Sequence, residues 1–399
     1  MRALVIFEDR AWSSLAPLTD VTPMHALAFG ASTLAERWRL ATRLELGFAL
    51  SRFTSPPAAR RARAAGGDLV FAANAAALPG RWVKQALASR RPALFTANGR
   101  IAAALVPSER LAKAADLERA LLAMKLPEKT TDAAFLEHPW DLIARNAGAI
   151  AQDLAAAKAR VRGRVHPRAV LVDRARITVA PGAIVDALAV LDASDGPIWI
   201  GPRARIRPHS LIEGPCAIGA STQVLGGRVA RSTIGPECRV AGEVEDSILQ
   251  GFSNKRHHGF VGHSVVGAWV NLGALTTTSD LKNNYGIVRV WAAGEERSSG
   301  SSKVGAFIGA HVKTGIGTLL PTGASVGTGA NLFGGGTFAP KRVPPFGWWD
   351  GERMREHEFD KFLATARVVM SRRGETLTDS AAEALRHCFE SSKRERRAR

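Results

Sequence analysis

The stretch IGPRARIRPHSLIEGPCAIGASTQV, residues 200–224, determines the predicted fold of most of this chain. An aliphatic residue stands at every sixth position, without a break: Ile200, Ile206, Ile212, Ile218 and Val224. A helix would need spacings of three and four, and a simple strand would need a spacing of two. A period of six, with a glycine or small residue often following the aliphatic one, is typical of the hexapeptide repeat of a parallel β-helix.

The same spacing returns further along the chain. Two short runs and a second five-member series continue it: Ile234 and Val240, Val266 and Leu272, then Ile308, Thr314, Leu320, Val326 and Leu332. Each of these residues is expected to point inward from a short face, and the small residue after it lets the chain turn a corner. Stacked coils then share one continuous core, so residues 161–343 are predicted to form a β-helix.

Two interruptions of the period suggest more than a structural spacer. The spacing breaks near residues 250–262 and again over residues 280–304. Insertions in a solenoid form loops, and loops on a rigid scaffold commonly handle ligands. Both breaks are therefore predicted to belong to a functional site.

Residues 1–125 carry the pattern of an α/β domain. ALVIF at residues 3–7 is typical of a buried strand, and STLAERWRLATRL at residues 32–44 predicts a helix that begins with a capping box of Thr33 and Glu36. PALFTANGRIAAALV at residues 92–106 predicts a hairpin, because Asn98 and Gly99 accept the positive φ angles of a tight turn.

The remaining segments are predicted to be helical. A helix begins at Pro139 within a connector over residues 126–160, and its apolar residues keep one face. Residues 344–399 carry Trp348 and Trp349, which are expected to cap the open end of the β-helix, followed by two amphipathic helices.

Composition narrows the class of protein. The 399 residues carry a formal charge of +18, part of it in RRAR at residues 60–63 and in the C-terminal KRERRAR, but no nucleic-acid recognition motif accompanies the charge. No apolar run is long enough to span a membrane, and the N-terminus does not have the pattern of a signal peptide. The three cysteines are odd in number and unclustered, which favours the reducing cytoplasm and argues against a disulfide framework or a zinc site.

The first interruption contains SNKRHHGFVGHS, residues 253–264, which could be a metal site, an acid–base centre or a polar turn. His257 and His258 are neighbours on an extended chain and should point to opposite sides, so they cannot easily share an ion. No cysteine or carboxylate nearby in sequence completes a tetrahedral set with them. No metal ion is therefore predicted here.

The run HHGFVGHSVVGAWVNLGALTTTSDLKNNY, residues 257–285, resembles the acetyltransferase half of the bifunctional glucosamine-1-phosphate acetyltransferase/N-acetylglucosamine-1-phosphate uridylyltransferase family. In that family a histidine lies three residues before an aromatic residue and a VN(I/L)GAG segment follows, as from His257 to Phe260 to Asn271. A divergent branch, with a pattern like SNKAHDGFLGHS…WVNLGAGTTNSNLKNNY, is more similar still. PLTDVTP…FGASTLAERW and HPWDLIARN extend the resemblance over most of the chain.

The resemblance implies a fold and an assembly. It implies an α/β N-terminal domain similar to sugar nucleotidyltransferases, then a left-handed parallel β-helix and a short helical tail. It also implies a homotrimer with active sites between adjacent subunits.

The resemblance further implies roles for particular residues. His257 would be the general base for a sugar amine that attacks acetyl-CoA, a task that suits a histidine. Asn271 would hold the sugar, and Asn284 and Tyr285 would lie over the acceptor or near the oxyanion.

Cations near these residues would meet the phosphates of a sugar phosphate or of CoA: Lys255, Arg256 and Lys282. Among the positions that depart from the divergent branch, three change the chemistry of the predicted site. His258 replaces an aspartate, Leu275 replaces a glycine, and Asp280 replaces an asparagine and adds negative charge among the predicted substrate-binding residues.

The front domain resembles a nucleotidyltransferase that has lost part of its site. FEDRAWSSLAPLTDVTP, residues 7–23, has no glycine-rich phosphate loop, and Thr22 and Ala28 stand where the divergent branch has arginines. Asp9 is the remaining candidate for nucleotide binding, with Mg²⁺ required only if this domain is active. Nucleotidyl transfer is accordingly expected to be lost.

The sequence therefore predicts an acyltransferase that moves an acetyl group from acetyl-CoA to an amino sugar phosphate or a nucleotide-linked amino sugar. Two alternatives stay open. One is an active sugar-1-phosphate nucleotidyltransferase, and the other is a non-catalytic trimeric scaffold that binds nucleotide sugars. Membranes and nucleic acid are not expected as partners.

Overall fold

The computed structural model describes residues 3–53, 69–111, 116–155 and 158–397, so RRAR at residues 60–63 lies outside the described residues. The chain forms two compact units that alternate along the sequence. The first comprises Met1–Ser14, Thr22–Leu27 and Ser32–Glu137, and the second comprises Leu15–Val21, Ala28–Ala31 and His138–Arg399. Residues 15–21 and 28–31, which were predicted within the front domain, thus belong to the second unit.

The first unit is built on a mixed six-stranded sheet. In sheet order the strands are Leu46–Leu50, Ala3–Phe7, Leu69–Asn74, Arg100–Pro107, Ala93–Ala97 and Glu128–Thr130. The first three are parallel, and Arg100–Pro107 runs antiparallel to both of its neighbours. In the described part of this unit the α-helices are Leu34–Thr42, Trp82–Ala88, Ser108–Leu111 and Leu117–Ala123.

Two local predictions in this unit are confirmed. Asn98 and Gly99 form the hairpin turn, with φ angles of 51° and 74°. The Thr33 side chain accepts a hydrogen bond of 3.2 Å from the backbone N–H of Glu36, so it caps the helix that follows.

The second unit contains a parallel β-helix with three faces, as the hexapeptide spacing predicts. The first face has nine parallel strands: Ile177–Val179, Ile198–Ile200, Cys216–Ile218, Thr233–Ile234, Ile248–Leu249, Val265–Val266, Phe307–Ile308, Ser325–Val326 and Arg342–Val343.

Two long strands, Gln223–Ala230 and Arg239–Glu245, each run through the second face and the third face. The second face also contains Arg164–Val165, Ile184–Val185, Arg205–Ile206, Asn254–Lys255, Lys313–Thr314, Asn331–Leu332 and Gly347–Trp349. The third face also contains Val170–Val172, Val190–Asp192, Ser210–Glu213, Phe260–Gly262, Thr277–Thr278 and Leu319–Leu320.

The repeat residues form the core of this β-helix. Ile200 pairs with Ile218 and Ile206 pairs with Val224, one full coil further along the chain. All four side chains are 0% exposed. Thr314 replaces an aliphatic residue in the second series, and its hydroxyl lies 2.7 Å from that of Thr276. A polar side chain is tolerated there because it has a hydrogen-bond partner.

One corner of the β-helix carries a stack of aromatic rings. Phe252, Trp269, His311 and Phe346 each have φ between 55° and 62°, three positions after a residue of the first face. The Phe252 and Trp269 rings stack at 4.3 Å, and Trp269 and His311 stack at 6.3 Å. Gly329 holds the position between His311 and Phe346, where a Cβ would lie 2.7 Å from the Phe346 ring.

The two predicted interruptions differ. Residues 250–262 do not leave the repeat, because Asn254–Lys255 and Phe260–Gly262 both pair in parallel with the preceding strand Arg239–Glu245. Residues 280–304 do leave it and form an antiparallel hairpin, Arg289–Ala292 with Glu295–Ser298. After the hairpin the chain returns to the β-helix at the corner that contains His263. There Gly305 donates its backbone N–H to the carbonyl of His263.

Helices precede and follow the β-helix in sequence. The connector helix is Pro139–Ala155, and the C-terminal helices are Phe359–Ser371, Asp379–Ser391 and Lys393–Arg397. Trp348 and Trp349, predicted as an end cap, lie in a strand that pairs with Asn331–Leu332 and with Met354–Glu356. Among the helices of the described ranges, none is long and apolar enough to cross a membrane.

The close stacking of coils predicts a large cost for one added methyl group. A Cβ on Gly235 would lie 1.7 Å from the backbone oxygen of Gln250, in the next coil. Because that oxygen belongs to the backbone and the two coils are hydrogen-bonded, neither can easily move. Gly235→Ala is expected to lower the free energy of unfolding by about 2–3 kcal/mol, as measured by urea denaturation.

Gly148→Ala is the matched control. Gly148 lies in the helix Pro139–Ala155 and a Cβ there meets nothing within 4 Å. Alanine should stabilise this helix by about 0.5–1 kcal/mol. Equal unfolding midpoints for Gly235→Ala and the wild type would contradict the observed spacing of the coils.

Candidate active site

His257 lies at a corner between two faces of the β-helix. The corner connects Asn254–Lys255 to Phe260–Gly262, and the side chains of Arg256, His257 and His258 are all exposed there. The backbone carbonyl of His258 accepts a hydrogen bond of 2.9 Å from the N–H of Leu275, at the corresponding corner of the next coil. His257 therefore presents an accessible imidazole from a hydrogen-bonded corner.

Lys255 fixes this corner from the inside. It pairs with Val240 and occupies an inward position of the repeat, where it is only 2% exposed. Its Nζ donates to the carbonyls of Ala241 at 2.8 Å and His257 at 2.9 Å. Burial lowers the pKa of Lys255 to about 8. Lys255 was predicted to contact a phosphate, but its side chain points into the core, so its place here is structural.

Asn271 lies on the outer side of the second face, in a row of polar residues. It forms backbone bridges to Asn254 on one side and Lys313 on the other. Its side-chain oxygen accepts a hydrogen bond of 3.3 Å from the Asn254 amide, and Arg373 donates to the Asn254 oxygen at 2.7 Å. Asn271 itself is exposed, as a residue that holds a ligand requires.

Two more predicted residues line one cavity. Lys282 and Asn284 face an open cavity of about 500 Å³ together with Ser279, Leu281, Asn283, Pro321, Thr322 and Phe338. Hydrogen bonds within residues 282–287 stabilise the conformation of this loop. Lys282 Nζ donates to the Ile287 carbonyl at 2.7 Å, and Asn284 Oδ1 accepts from the Gly286 N–H at 3.1 Å. Tyr285, at the tip of this loop, is 73% exposed.

Asp280 was predicted among the substrate-binding residues, but its carboxylate is engaged within the protein. It lies 2.7 Å from Nδ1 of His263, whose Nε2 is 3.6 Å from Asp246. Asp246 is paired in turn with Arg231 at 2.6 Å. Burial alone would raise the pKa of Asp280, but the hydrogen bond and charge of His263 hold it below the ordinary value. Asp280 thus ends a chain of corner residues that runs from Arg231 through Asp246 and His263.

The same corner contains a possible set of metal ligands. Ligand atoms of Glu245, His263 and Asp280 lie within 4.8 Å of one another. The guanidinium of Arg228 is 2.8 Å from the Glu245 carboxylate, and that of Arg231 is 3.7 Å from it. These guanidinium groups already balance the carboxylate charge and would repel a metal ion. We therefore interpret the cluster as an ion-pair network.

In the first unit, Asp9 lies at the carboxyl end of the strand Ala3–Phe7, where open α/β sheets bind ligands. Its Oδ2 accepts hydrogen bonds from Arg100 Nη2 at 2.6 Å and from Asn74 Nδ2 at 2.8 Å. Its Oδ1 accepts from the backbone N–H of Ala11 at 3.1 Å. Both oxygens are thus engaged, and Asp9 is only 4% exposed. The residues present do not fit a Mg²⁺ ion without breaking the pair with Arg100.

The adjacent Glu8 is paired in the same manner. Its carboxylate lies 3.1 Å from Arg52 and accepts the backbone N–H of Met24. The Arg52 guanidinium is 3.7 Å from the centre of the Trp12 ring and 4.1 Å from that of Phe53. This edge of the sheet therefore holds two internal ion pairs, which sequence reasoning did not anticipate.

Sequence reasoning also missed Lys313 and His311. Both follow Ile308 and Gly309, and His311 stands three positions after the aliphatic residue, as Phe252 follows Leu249 and Trp269 follows Val266. That offset identifies a corner residue and could have placed His311 in the aromatic stack.

The fold and the site define a hexapeptide-repeat β-helix protein joined to an α/β unit. Residues 4–161 match the family model described as sugar nucleotidyl transferase. It is 35% identical over 135 residues to the bifunctional sugar-1-phosphate nucleotidylyltransferase/acetyltransferase of Sulfurisphaera tokodaii, a match over 34% of this chain and 29% of that relative. It is 30% identical over 130 residues to the bifunctional protein GlmU of Methanococcus vannielii, over 33% of this chain and 26% of the relative.

These matches confirm the resemblance to bifunctional nucleotidylyltransferase/acetyltransferases, although the chain spans less than a third of the length of either relative. Among solved structures, a UDP-N-acetylglucosamine acyltransferase from Campylobacter jejuni matches at 13% identity over 58% of this chain and 98% of that chain. Its TM-score is 0.28.

Proposed function

We propose that the second unit transfers an acetyl group from acetyl-CoA to the amine of an amino sugar phosphate or a nucleotide-linked amino sugar. The observation that carries this proposal is the exposed His257 imidazole, held at a β-helix corner by Lys255 and by the backbone of Leu275. The curated relatives, whose names include acetyltransferase activity, support the choice of reaction.

The reaction requires a proton acceptor. As the sugar amine attacks the thioester carbonyl, a C–N bond forms and the amine must lose a proton. Neutral His257 takes that proton and the C–S bond breaks, so CoA leaves as the thiol after it is protonated. In this proposal the side-chain amide of Asn284 donates a hydrogen bond to the oxyanion that forms on the carbonyl.

The remaining exposed residues bind the acceptor and the phosphates. We assign Asn271 and Tyr285 to the sugar, and Arg256 and Lys282 to phosphate groups. The protein would act as a homotrimer, in which an exposed loop such as that of Tyr285 can contribute to a neighbouring subunit's site.

The test is release of free thiol from acetyl-CoA in the presence of amino sugars, their 1-phosphates and their nucleotide conjugates. Turnover with one acceptor class supports the proposal and identifies the substrate. No turnover with any of them would overturn it and favour the non-catalytic, ligand-binding alternative.

We further propose that the first unit no longer performs nucleotidyl transfer. A triphosphate and its metal ion need unpaired cations and free carboxylate oxygens. Here Arg100 and Arg52 are paired with Asp9 and Glu8, and Thr22 supplies no charge.

We expect no release of pyrophosphate from nucleoside triphosphates with sugar 1-phosphates and Mg²⁺, measured by a coupled pyrophosphate assay. A release that depends on the nucleotide and is lost in Asp9→Asn would contradict this expectation. It would show that the pair of Asp9 and Arg100 opens when substrate binds.

A further inference from the structure

A second cavity of the β-helix unit lies on the second face, at its C-terminal end. It measures about 430 Å³ and lies between strand residues and the first C-terminal helix. Its lining residues are Lys313, Asn331, Trp348, Arg355, Glu356, His357, Glu358, Lys361 and Thr365. None of these residues belongs to the proposed acetyl-transfer site.

Lys313 differs from the other charged residues of this lining. Arg355 is paired with Asp350, Glu356 with Arg396, and Glu358 with Lys361, at distances from 2.8 to 3.3 Å. Lys313 has no carboxylate within 4.0 Å among the described residues. Its Nζ donates a hydrogen bond of 3.3 Å to the backbone carbonyl of His311.

Two histidines and an amide lie near Lys313, and the two glutamates of the lining are paired with Arg396 and Lys361. The charge of Lys313 contributes to lowering the pKa values of His311 and His357, after the larger effect of burial. Asn331 pairs with Lys313 in the strand register and carries an amide donor. A largely buried ammonium without a counter-ion is unfavourable, and an external anion would supply the missing charge.

We propose that this cavity binds a tetrahedral oxyanion, as free phosphate or as a phosphate ester, through Lys313. Asn331 lies beside Lys313 and offers a neutral donor. This site does not depend on acetyl transfer, because none of its lining residues has a role in that reaction.

The proposal predicts a distinctive pH dependence. Burial lowers the pKa of Lys313 to about 8. The arginine, the second lysine and the two glutamates of the lining are ion-paired, and His357 has a lowered pKa, so Lys313 is the group expected to change charge between pH 7 and 9. Binding of an anion with constant charge should therefore weaken about tenfold over that interval.

Sulfate is the first probe because it remains a dianion throughout, and its binding is measured by calorimetry at pH 7 and pH 9. Lys313→Met should weaken binding at least about tenfold at pH 7. Lys313→Arg should keep binding and lose the pH dependence, because a guanidinium stays protonated. Lys84→Met, at an exposed position of the first unit, is the matched control.

Inorganic phosphate and glucosamine 1-phosphate distinguish the sources of the anion. Tighter binding of the ester than of sulfate would assign the site to an ester, and equal binding would assign it to the free anion. Binding that is equal in the wild type and Lys313→Met, or no saturable binding of any probe, would overturn the proposal. If Lys313→Met does not fold, as judged by its thermal transition, unchanged pH dependence in Lys313→Arg would also overturn it.

Discussion

His257→Ala is expected to lower the rate of acetyl transfer by about 10²–10⁴-fold, the usual effect of removing a general base. The reason is that the attacking amine then has to lose its proton to water. The loss should appear in thiol release from acetyl-CoA even at a saturating concentration of acceptor. The reason is that His257 is proposed to accept the proton, whereas Asn271 is proposed to bind the sugar.

His258→Ala is the control for this prediction. His258 is equally exposed and adjacent, but it has no assigned role in proton transfer, so its variant should retain the wild-type rate. If both variants turn over at the wild-type rate, another group is the base. If both lose activity together, the corner itself and not the imidazole of His257 is required.

Acidification is expected to destabilise the β-helix unit through His311. This residue is 6% exposed, and burial, followed by the charge of Lys313, lowers its pKa from 6.5 to about 3. Between pH 6.5 and 3 the unfolded state binds a proton that the folded state excludes, so stability present above pH 6.5 is lost as the pH falls. The difference of pKa corresponds to about 4–5 kcal/mol at the acid end of that range.

The measurement is urea denaturation of the wild type and of His311→Phe between pH 7 and pH 4. Phenylalanine keeps an aromatic ring against Trp269 and cannot titrate, so the variant should lose much less stability in acid. His25 and His357, whose pKa values are also lowered, leave a smaller acid dependence in both proteins. Parallel pH profiles for the two proteins would contradict the prediction.

The β-helix could be predicted from the sequence because its core positions repeat. Ile200 and Ile218 pair across coils, and a single aliphatic residue per short face is enough to reveal the period. The prediction of a loop at residues 250–262 was wrong for a physical reason. Lys255 occupies an inward position, where its ammonium donates hydrogen bonds to two backbone carbonyls. A lysine at a position that is usually aliphatic breaks the hydrophobic pattern from which the repeat is recognised.

The candidate site was only partly predictable. The resemblance singled out His257, but its exposure follows from the β-helix corner at which it lies. The hydrogen bond between Asp280 and His263 was not predictable in the same way. The two residues are 17 positions apart and meet only because the corners of successive coils stack on one another. The ion pair of Asp9 and Arg100 likewise depends on how two strands are ordered in the sheet.

The second unit includes two short stretches from the beginning of the chain. Its Thr233 hydroxyl donates to the carbonyl of Gly30 at 2.6 Å, and its Gln250 side chain accepts the N–H of Ala28 at 2.7 Å. A protein cut before His138 would therefore lose the Gly30 partner of Thr233, which keeps only Asn146, and the Ala28 partner of Gln250. Exchange of whole domains between relatives at a single junction should fail for the same reason, so the two halves of this chain are expected to be inherited together.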